Sequence, residues 1–228
     1  MLDGFKKVDV QTTKPNRLIC NIQGQEKTGK THFSLTAPGP IAFFDLDCGT
    51  EGVIHKFANE KEIFVKAYAF DENQNEAKKL WDVFCRDYNA ALAHPAIRTI
   101  VIDSGSDMWE FIRMAEFGKL IQVPPLKYRE VNSDLRKMVR AVLTTDKSLI
   151  ITHKLKMEYD SNNRPTGKYS MSGFSEIPYL VQANLETFIN EDGAGIRIVD
   201  CRAGIDFRGM EFPASSVSFD TIMELVSS

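Results

Sequence analysis

Short apolar, β-branched runs alternate with longer amphipathic stretches over the first two thirds of the chain. Residues 17–23 read as a strand, 29–35 as a helix and 41–45 as a second strand. The order then repeats. Residues 62–67 predict a strand, 73–93 a helix with Leu80, Phe84 and Tyr88 on one face, 99–103 a strand, and 108–119 a helix. A helix over about 130–143 places Val131, Leu135, Met138, Val139 and Val142 on one side, and an apolar strand at 148–152 follows it. Such alternation predicts an α/β fold: a mainly parallel central sheet, buried on both faces by helices. After His153 the rhythm changes. Residues 154–159 and 167–171 flank the polar turn-formers 160–165, which predicts a flexible hairpin or loop. Residues 185–190 and 195–201 bracket Glu191-Asp192-Gly193 and predict a C-terminal antiparallel hairpin at the sheet edge. Residues 218–226 close the pattern as an amphipathic helix with Ser218 as N-cap.

No repeat and no Pro/Gly/Ser-rich linker divides the 228 residues, so residues 1–228 read as one domain. A composition of 43% hydrophobic and 26% charged residues excludes collagen-like, disordered and disulfide-scaffold classes. The longest apolar runs are strand-sized, far short of the roughly 18 residues of a transmembrane helix. Residues 1–7 carry no apolar core of a secretory signal, which predicts a cytoplasmic location and no membrane partner. The four cysteines (Cys20, Cys48, Cys85, Cys201) and four histidines (His32, His55, His94, His153) are scattered, with no C-x-x-C pair. That spacing argues against zinc, and each cysteine is expected as a buried, reduced thiol. A net charge of -3 argues against a uniformly basic nucleic-acid coat. A local exception runs from Arg113 to Arg140, where seven lysines and arginines face three acidic residues.

The sharpest chemical signal is Gly24-Gln25-Glu26-Lys27-Thr28-Gly29-Lys30-Thr31, a complete G-x-x-x-x-G-K-[ST] between a predicted strand and a predicted helix. In such a loop the backbone N–H groups ring a β-phosphate at the positive end of a helix. Lys30 reaches the β- and γ-phosphates, and the Thr31 hydroxyl ligates Mg²⁺. His32, directly after the loop, is counted with the nucleotide-contacting residues. A second carboxylate is needed at the tip of a neighbouring strand, because Mg²⁺ keeps several waters that acceptors must hold. Asp103, ending the apolar run Thr99-Ile100-Val101-Ile102, supplies it in the Walker B pattern.

The P-loop, Ala42-Phe43-Phe44-Asp45-Leu46-Asp47, Ile100 to Ser104 and Ile150-Ile151-Thr152-His153 together resemble the RecA-like ATPase class. The resemblance covers roughly residues 15–205, and is nearest to the small phage-encoded P-loop ATPases associated with single-strand annealing and homologous recombination. It implies ATP and Mg²⁺ as cofactors and a base that polarises the attacking water. Asp47 matches that position, where the class has glutamate, and Glu51 and Asp45 are further candidates for it. It also implies a polar γ-phosphate sensor at His153. Arg202 resembles the arginine of a Lys-x-Arg element that reaches a neighbouring subunit's γ-phosphate, although Asp200 replaces the lysine.

In this class the segments after the Walker B and sensor strands line a DNA path, here about residues 118–129 and 154–173. The first carries Lys119, Lys127, Tyr128 and Arg129; the second carries Lys154, Lys156, Tyr159, Arg164, Lys168 and Tyr169. Cations neutralise phosphates and aromatic faces stack on bases without regard to sequence. The alternative for these residues is a packed Tyr128 and a solvated lysine face. The expectation is a Mg²⁺-dependent ATPase acting on single-stranded DNA in phage recombination or annealing. It would work as a homo-oligomeric ring or filament, with a single-strand-binding or replication protein as a further partner. Two other readings stay open. One is a nucleotide-gated adaptor or loader with weak or no hydrolysis; the other, ranked last, is a small-molecule kinase.

Overall fold

A computed structural model describes residues 17–70, 73–119 and 123–227. Strands β1 (Ile19–Gly24), β2 (Ile41–Asp45), β3 (Ile63–Ala67), β4 (Thr99–Asp103) and β5 (Ser148–Tyr159) alternate with helices α1 (Lys30–Leu35), α2 (Gln74–Ala93), α3 (Gly105–Phe117) and α4 (Tyr128–Val142). Then come β6 (Pro165–Met171), the short helix α5 (Ile177–Leu180), β7 (Ala183–Asn190), β8 (Gly193–Cys201), β9 (Glu211–Pro213) and α6 (Phe219–Ser227). The sheet runs β3-β2-β4-β5-β1-β7-β8-β9, with β6 added to the outer half of β5. The β3-to-β7 block is parallel throughout, and β5–β6, β7–β8 and β8–β9 are antiparallel. The expected α/β class therefore holds, with an antiparallel C-terminal extension.

Successive strand side chains point to opposite faces, so a parallel strand buried on both sides is apolar at every position. Phe44, Ile100, Ile102, Leu149 and Ile151 face one core with α2, α3 and α4. Phe43, Val101 and Ile150 face the other with α1 and α6. The first core centres on Phe84 of α2, whose ring lies 5.2 Å from Phe44, 5.1 Å from Tyr68 and 5.1 Å from Trp81 between centroids.

Helix limits follow from caps that shift the sequence-based bounds by a few residues. Asn73 accepts hydrogen bonds from the N–H groups of Asn75 and Glu76 and starts α2. Ser104 accepts from the Asp107 N–H and starts α3 three residues before the expected point, and Gly118 ends it in the left-handed conformation. Strand β5 runs seven residues past Thr152, because its outer half leaves the sheet and pairs with β6 as a two-stranded ribbon. The β7–β8 hairpin is where the sequence puts it, although β9, unrecognised in the sequence, forms the edge beyond it.

One expectation is corrected. Cys20 is buried and Cys85 and Cys201 are half-buried, but Cys48 is exposed. It sits in the turn after β2 with φ 54°, where the chain reverses at the surface rather than entering a core.

Truncating the hub of the aromatic core tests this packing. Phe84→Ala should destabilise the protein by about 3–5 kcal/mol, read from urea unfolding. A loss below about 1 kcal/mol would mean that the core closes around the void.

Candidate nucleotide site

The C-terminal ends of β1, β2, β4 and β5 meet at one edge of the sheet, where open α/β folds bind ligands. Register aligns them: Asp45 lies beside Asp103, and Gly24 beside Lys154. Above this edge opens a cleft of about 730 Å³. Its lining includes Gly24, Glu26, Lys27, Gly29, Lys30, Thr31 and His32 from the P-loop region, together with Asp47, Asp103 and Lys154.

The P-loop is built by its glycines. Gly29 has φ 104°, a conformation an L side chain would strain, and there the loop turns into α1. The Lys30 ammonium is satisfied inside the loop, donating to the Gly24 carbonyl at 2.9 Å and the Gln25 carbonyl at 2.6 Å. Burial lowers its pKa, against the opposing charges of Asp103 and Asp47. Thr31 Oγ1 donates to Asp103 Oδ2 at 2.6 Å, while the Thr152 hydroxyl donates to Asp103 Oδ1. Asp103 is buried, which raises its pKa, and these two hydroxyls and Lys30 oppose that rise. Thr31 Oγ1 and Asp103 Oδ2 thus stand together on the cleft floor as two hard oxygen donors, a pair that suits Mg²⁺ with waters and phosphate oxygens completing the shell.

Asp47 projects into the cleft from the turn after β2. Burial and the nearby Asp103 raise its pKa to about 6, so it is mostly ionised at neutral pH. Its Oδ1 accepts the Gly49 N–H at 2.9 Å. The buried Asp45 is occupied in holding the turn, accepting the Thr50 hydroxyl at 2.6 Å. Glu51 is exposed and does not line the cleft.

His153 lies beneath the cleft rather than in it. It is fully buried, with Nδ1 2.6 Å from Asn21 Oδ1, and its ring packs against Gly105. Burial pushes its pKa down to about 3, so the imidazole is neutral. The adjacent Lys154, expected on the DNA path, lines the cleft instead, together with Leu155. Its ammonium bonds Asp107 Oδ1 at 2.7 Å, and its N–H donates to Ser106 Oγ at 2.9 Å. Burial alone would lower the Lys154 pKa, but Asp107 and Asp47 hold it above the ordinary value.

Arg202 follows β8 at the opposite edge of the sheet, where its N–H bonds the Gln182 carbonyl and Nη2 donates to the Tyr179 carbonyl at 2.7 Å. It therefore cannot serve the cleft of its own chain. Residues 120–122 of the first DNA segment lie outside the described residues. In that segment Lys127 and Arg129 are exposed, but the Tyr128 ring stacks on Trp109 at 5.7 Å, with Arg113 5.5 Å from its centroid. The packed alternative thus describes Tyr128. On the β5–β6 ribbon Lys156, Tyr159, Arg164, Lys168 and Tyr169 are exposed, Tyr159 by 62% and Tyr169 by 44%.

Residues 16–191 match the family model described as an AAA domain. The chain belongs to the AAA domain family. It is a P-loop ATPase, with β5 inserted between the P-loop strand β1 and the Asp103 strand β4. No curated protein matches the sequence. Among solved structures, one similar chain is described as "Crystal structure of the RadB recombinase", with a TM-score of 0.49 and 12% identity over 87% of this chain and 86% of that one. No helix among the described residues is long and apolar enough to cross a membrane.

Two substitutions separate the roles within this AAA domain. Lys30→Ala should leave the circular dichroism spectrum unchanged and weaken ATP binding at least about tenfold, because hydrogen bonds to charged groups contribute about 1.5–3 kcal/mol. Unchanged ATP affinity would remove the phosphate-binding assignment. Asp103→Asn should retain most nucleotide binding and lose Mg²⁺-dependent turnover, since an amide lacks the carboxylate charge. Normal turnover would place the metal carboxylate on another strand.

Proposed function

We propose that this ATPase is Mg²⁺-dependent and acts on single-stranded DNA in phage recombination or annealing, as a homo-oligomer. The observation that carries the DNA reading is the β5–β6 ribbon, which grows out of the nucleotide cleft itself. Lys154 and Leu155 line the cleft at the ribbon's base, and the strand continues outward to Tyr159. Anything that grips the ribbon therefore bears on the residues around the phosphates. The phage and recombination setting rests on the resemblance of the four motifs, and the metal on Thr31 and Asp103.

Alternation along the ribbon sorts its side chains. Leu155 lies opposite Met171 and Met157 opposite Tyr169, so Leu155, Met157, Tyr169 and Met171 share one face; beyond Met157 the register shifts, and Tyr159 pairs with Pro165. Lys156, opposite Ser170, belongs to the other face, and Lys168 stands exposed where the register shifts. A strand crossing the ribbon would meet the Lys156 cation on one face and the Tyr169 ring on the other, with further exposed cations at Arg164 and Lys168. Lys154 is set apart from this basic face by its ion pair with Asp107. In this reading Asp47, which lines the cleft, orients the attacking water, and Arg202, at the opposite edge of the sheet, acts at a neighbouring subunit's nucleotide.

The test is turnover measured with and without single-stranded DNA, which should stimulate hydrolysis. Replacing Lys156, Arg164 and Lys168 together by Ala should weaken DNA binding and flatten its salt dependence, by about 0.7 in the log-log slope for each phosphate left without its cation. ATP affinity in the absence of DNA should be unchanged. Equal DNA affinity and equal salt slope would make the ribbon a solvated surface and remove the DNA reading.

A further inference from the structure

Strand β7 lies against the P-loop strand on the side away from β5 and pairs with it up to Gly24↔Thr187. Thr187 belongs to none of the nucleotide motifs and does not line the cleft. Its side chain nonetheless touches the loop. Thr187 is 3% exposed and Thr28 is 9% exposed, and their hydroxyl oxygens are 2.6 Å apart.

The protons in this pair can be assigned by counting. Each hydroxyl has one proton to give. Thr28 Oγ1 is 2.8 Å from the Gln25 carbonyl, whereas Thr187 Oγ1 is 3.3 Å from the Gln23 carbonyl. The two shorter hydrogen bonds form together when Thr28 donates to Gln25 and Thr187 donates to Thr28. The Gln25 carbonyl also accepts the Lys30 ammonium at 2.6 Å. Thr187 thus donates to Thr28 and Thr28 to the Gln25 carbonyl, which Lys30 meets as a second donor, so the hydroxyl pair fixes the position of the carbonyl that holds the ammonium.

A second observation points to the same pair. A Cβ on Gly24 would collide with Thr187 Oγ1 and lie 2.7 Å from Thr28 Oγ1. The first glycine of the P-loop is therefore needed because the hydroxyl pair fills the space where a side chain would stand.

We infer that Thr187 is a positioning residue for ATP, its hydroxyl bracing the P-loop from the β7 side through Thr28 and the Gln25 carbonyl so that Lys30 is held at the phosphate site. The inference rests on the ATP reading of the cleft. Thr187 touches no phosphate. It acts on the loop that does, and a loop held in its binding geometry loses less conformational freedom when the nucleotide arrives.

The test uses the full chain and ATP with Mg²⁺. Thr187→Val keeps the branched shape and removes the hydroxyl. It should weaken ATP binding in calorimetric titration, and raise KM, by about tenfold, equivalent to about 1.4 kcal/mol. Thr187→Ser keeps the hydroxyl and removes a buried methyl, so it should lower the urea midpoint while holding near-parental ATP affinity. A merely structural role predicts that affinity follows stability in both variants. Thr28→Val removes the other half of the pair and keeps the question open to test if Thr187→Val does not fold. It should reproduce the weakened affinity, and where both fold the two effects should not add. Parental affinity in Thr187→Val or in Thr28→Val overturns the brace and leaves the ATP reading intact. Absence of ATP binding by the parent protein overturns the ATP reading and the brace with it.

Discussion

The site depends on keeping the Asp103 carboxylate ionised inside the protein. At 2% exposure it is almost entirely removed from water, and burial drives it towards the neutral acid. The nearby Asp45 pushes the same way, while hydroxyls from Thr31 and Thr152 and the charge of Lys30 oppose it. These three groups reach Asp103 from the P-loop helix and from β5, so the carboxylate is held only while β4, β5 and β1 keep their register. Ile102 lies beside Ile151, which places Thr152 at the level of Asp103. A slip of one residue would turn Thr152 to the other face of the sheet and leave a buried carboxylate short of a donor.

That register is in turn set by burial on both faces. In β4, Ile100 and Ile102 enter one core and Val101 the other, and in β5 Leu149 and Ile151 alternate in the same way with Ile150. Shifting either strand by one position would exchange the partners of both cores at once, so packing and charge stabilisation select the same alignment. The apolar interior of the sheet is therefore part of the chemistry at its edge.

The P-loop and Asp103 are legible in the sequence because their chemistry is carried by consecutive residues or by a single strand ending. The caps at Asn73 and Ser104 fix helix starts that hydrophobic spacing alone leaves a residue or more away. What is not legible depends on which neighbour a strand acquires. Whether His153 or Lys154 faces the cleft is a question of parity, answered by the pairing of Gly24 with Lys154 and by the Asn21 side chain that receives His153. Tyr128 looks like a loop residue because its partners Trp109 and Phe117 lie on a helix that precedes it by several turns of chain. Thr187 stands 159 positions from Thr28, and no local motif marks that distance. The exposed Cys48 shows the reverse error, a usually buried residue type in a turn whose backbone conformation points it outward.

The P-loop strand is also held between two strands that each continue into a hairpin. On one side β5 leaves the sheet as the ribbon with β6, and on the other β7 turns into β8. Each contributes a side chain at the level where β1 ends: Lys154 within the cleft, Thr187 against the loop. Displacing the ribbon moves the Lys154 charge relative to Lys30 and Asp47, both of which feel it electrostatically. Displacing the β7–β8 hairpin moves Thr187, and Thr28 with it. The inner parts of β5 and β7 are buried within the sheet, so displacements that reach them are transmitted by packed strands rather than absorbed by deformation of the core. The two hairpins thus bear on different parts of the cleft. The ribbon bears on its charge balance, and the β7–β8 hairpin on the shape of the loop that cradles the phosphates.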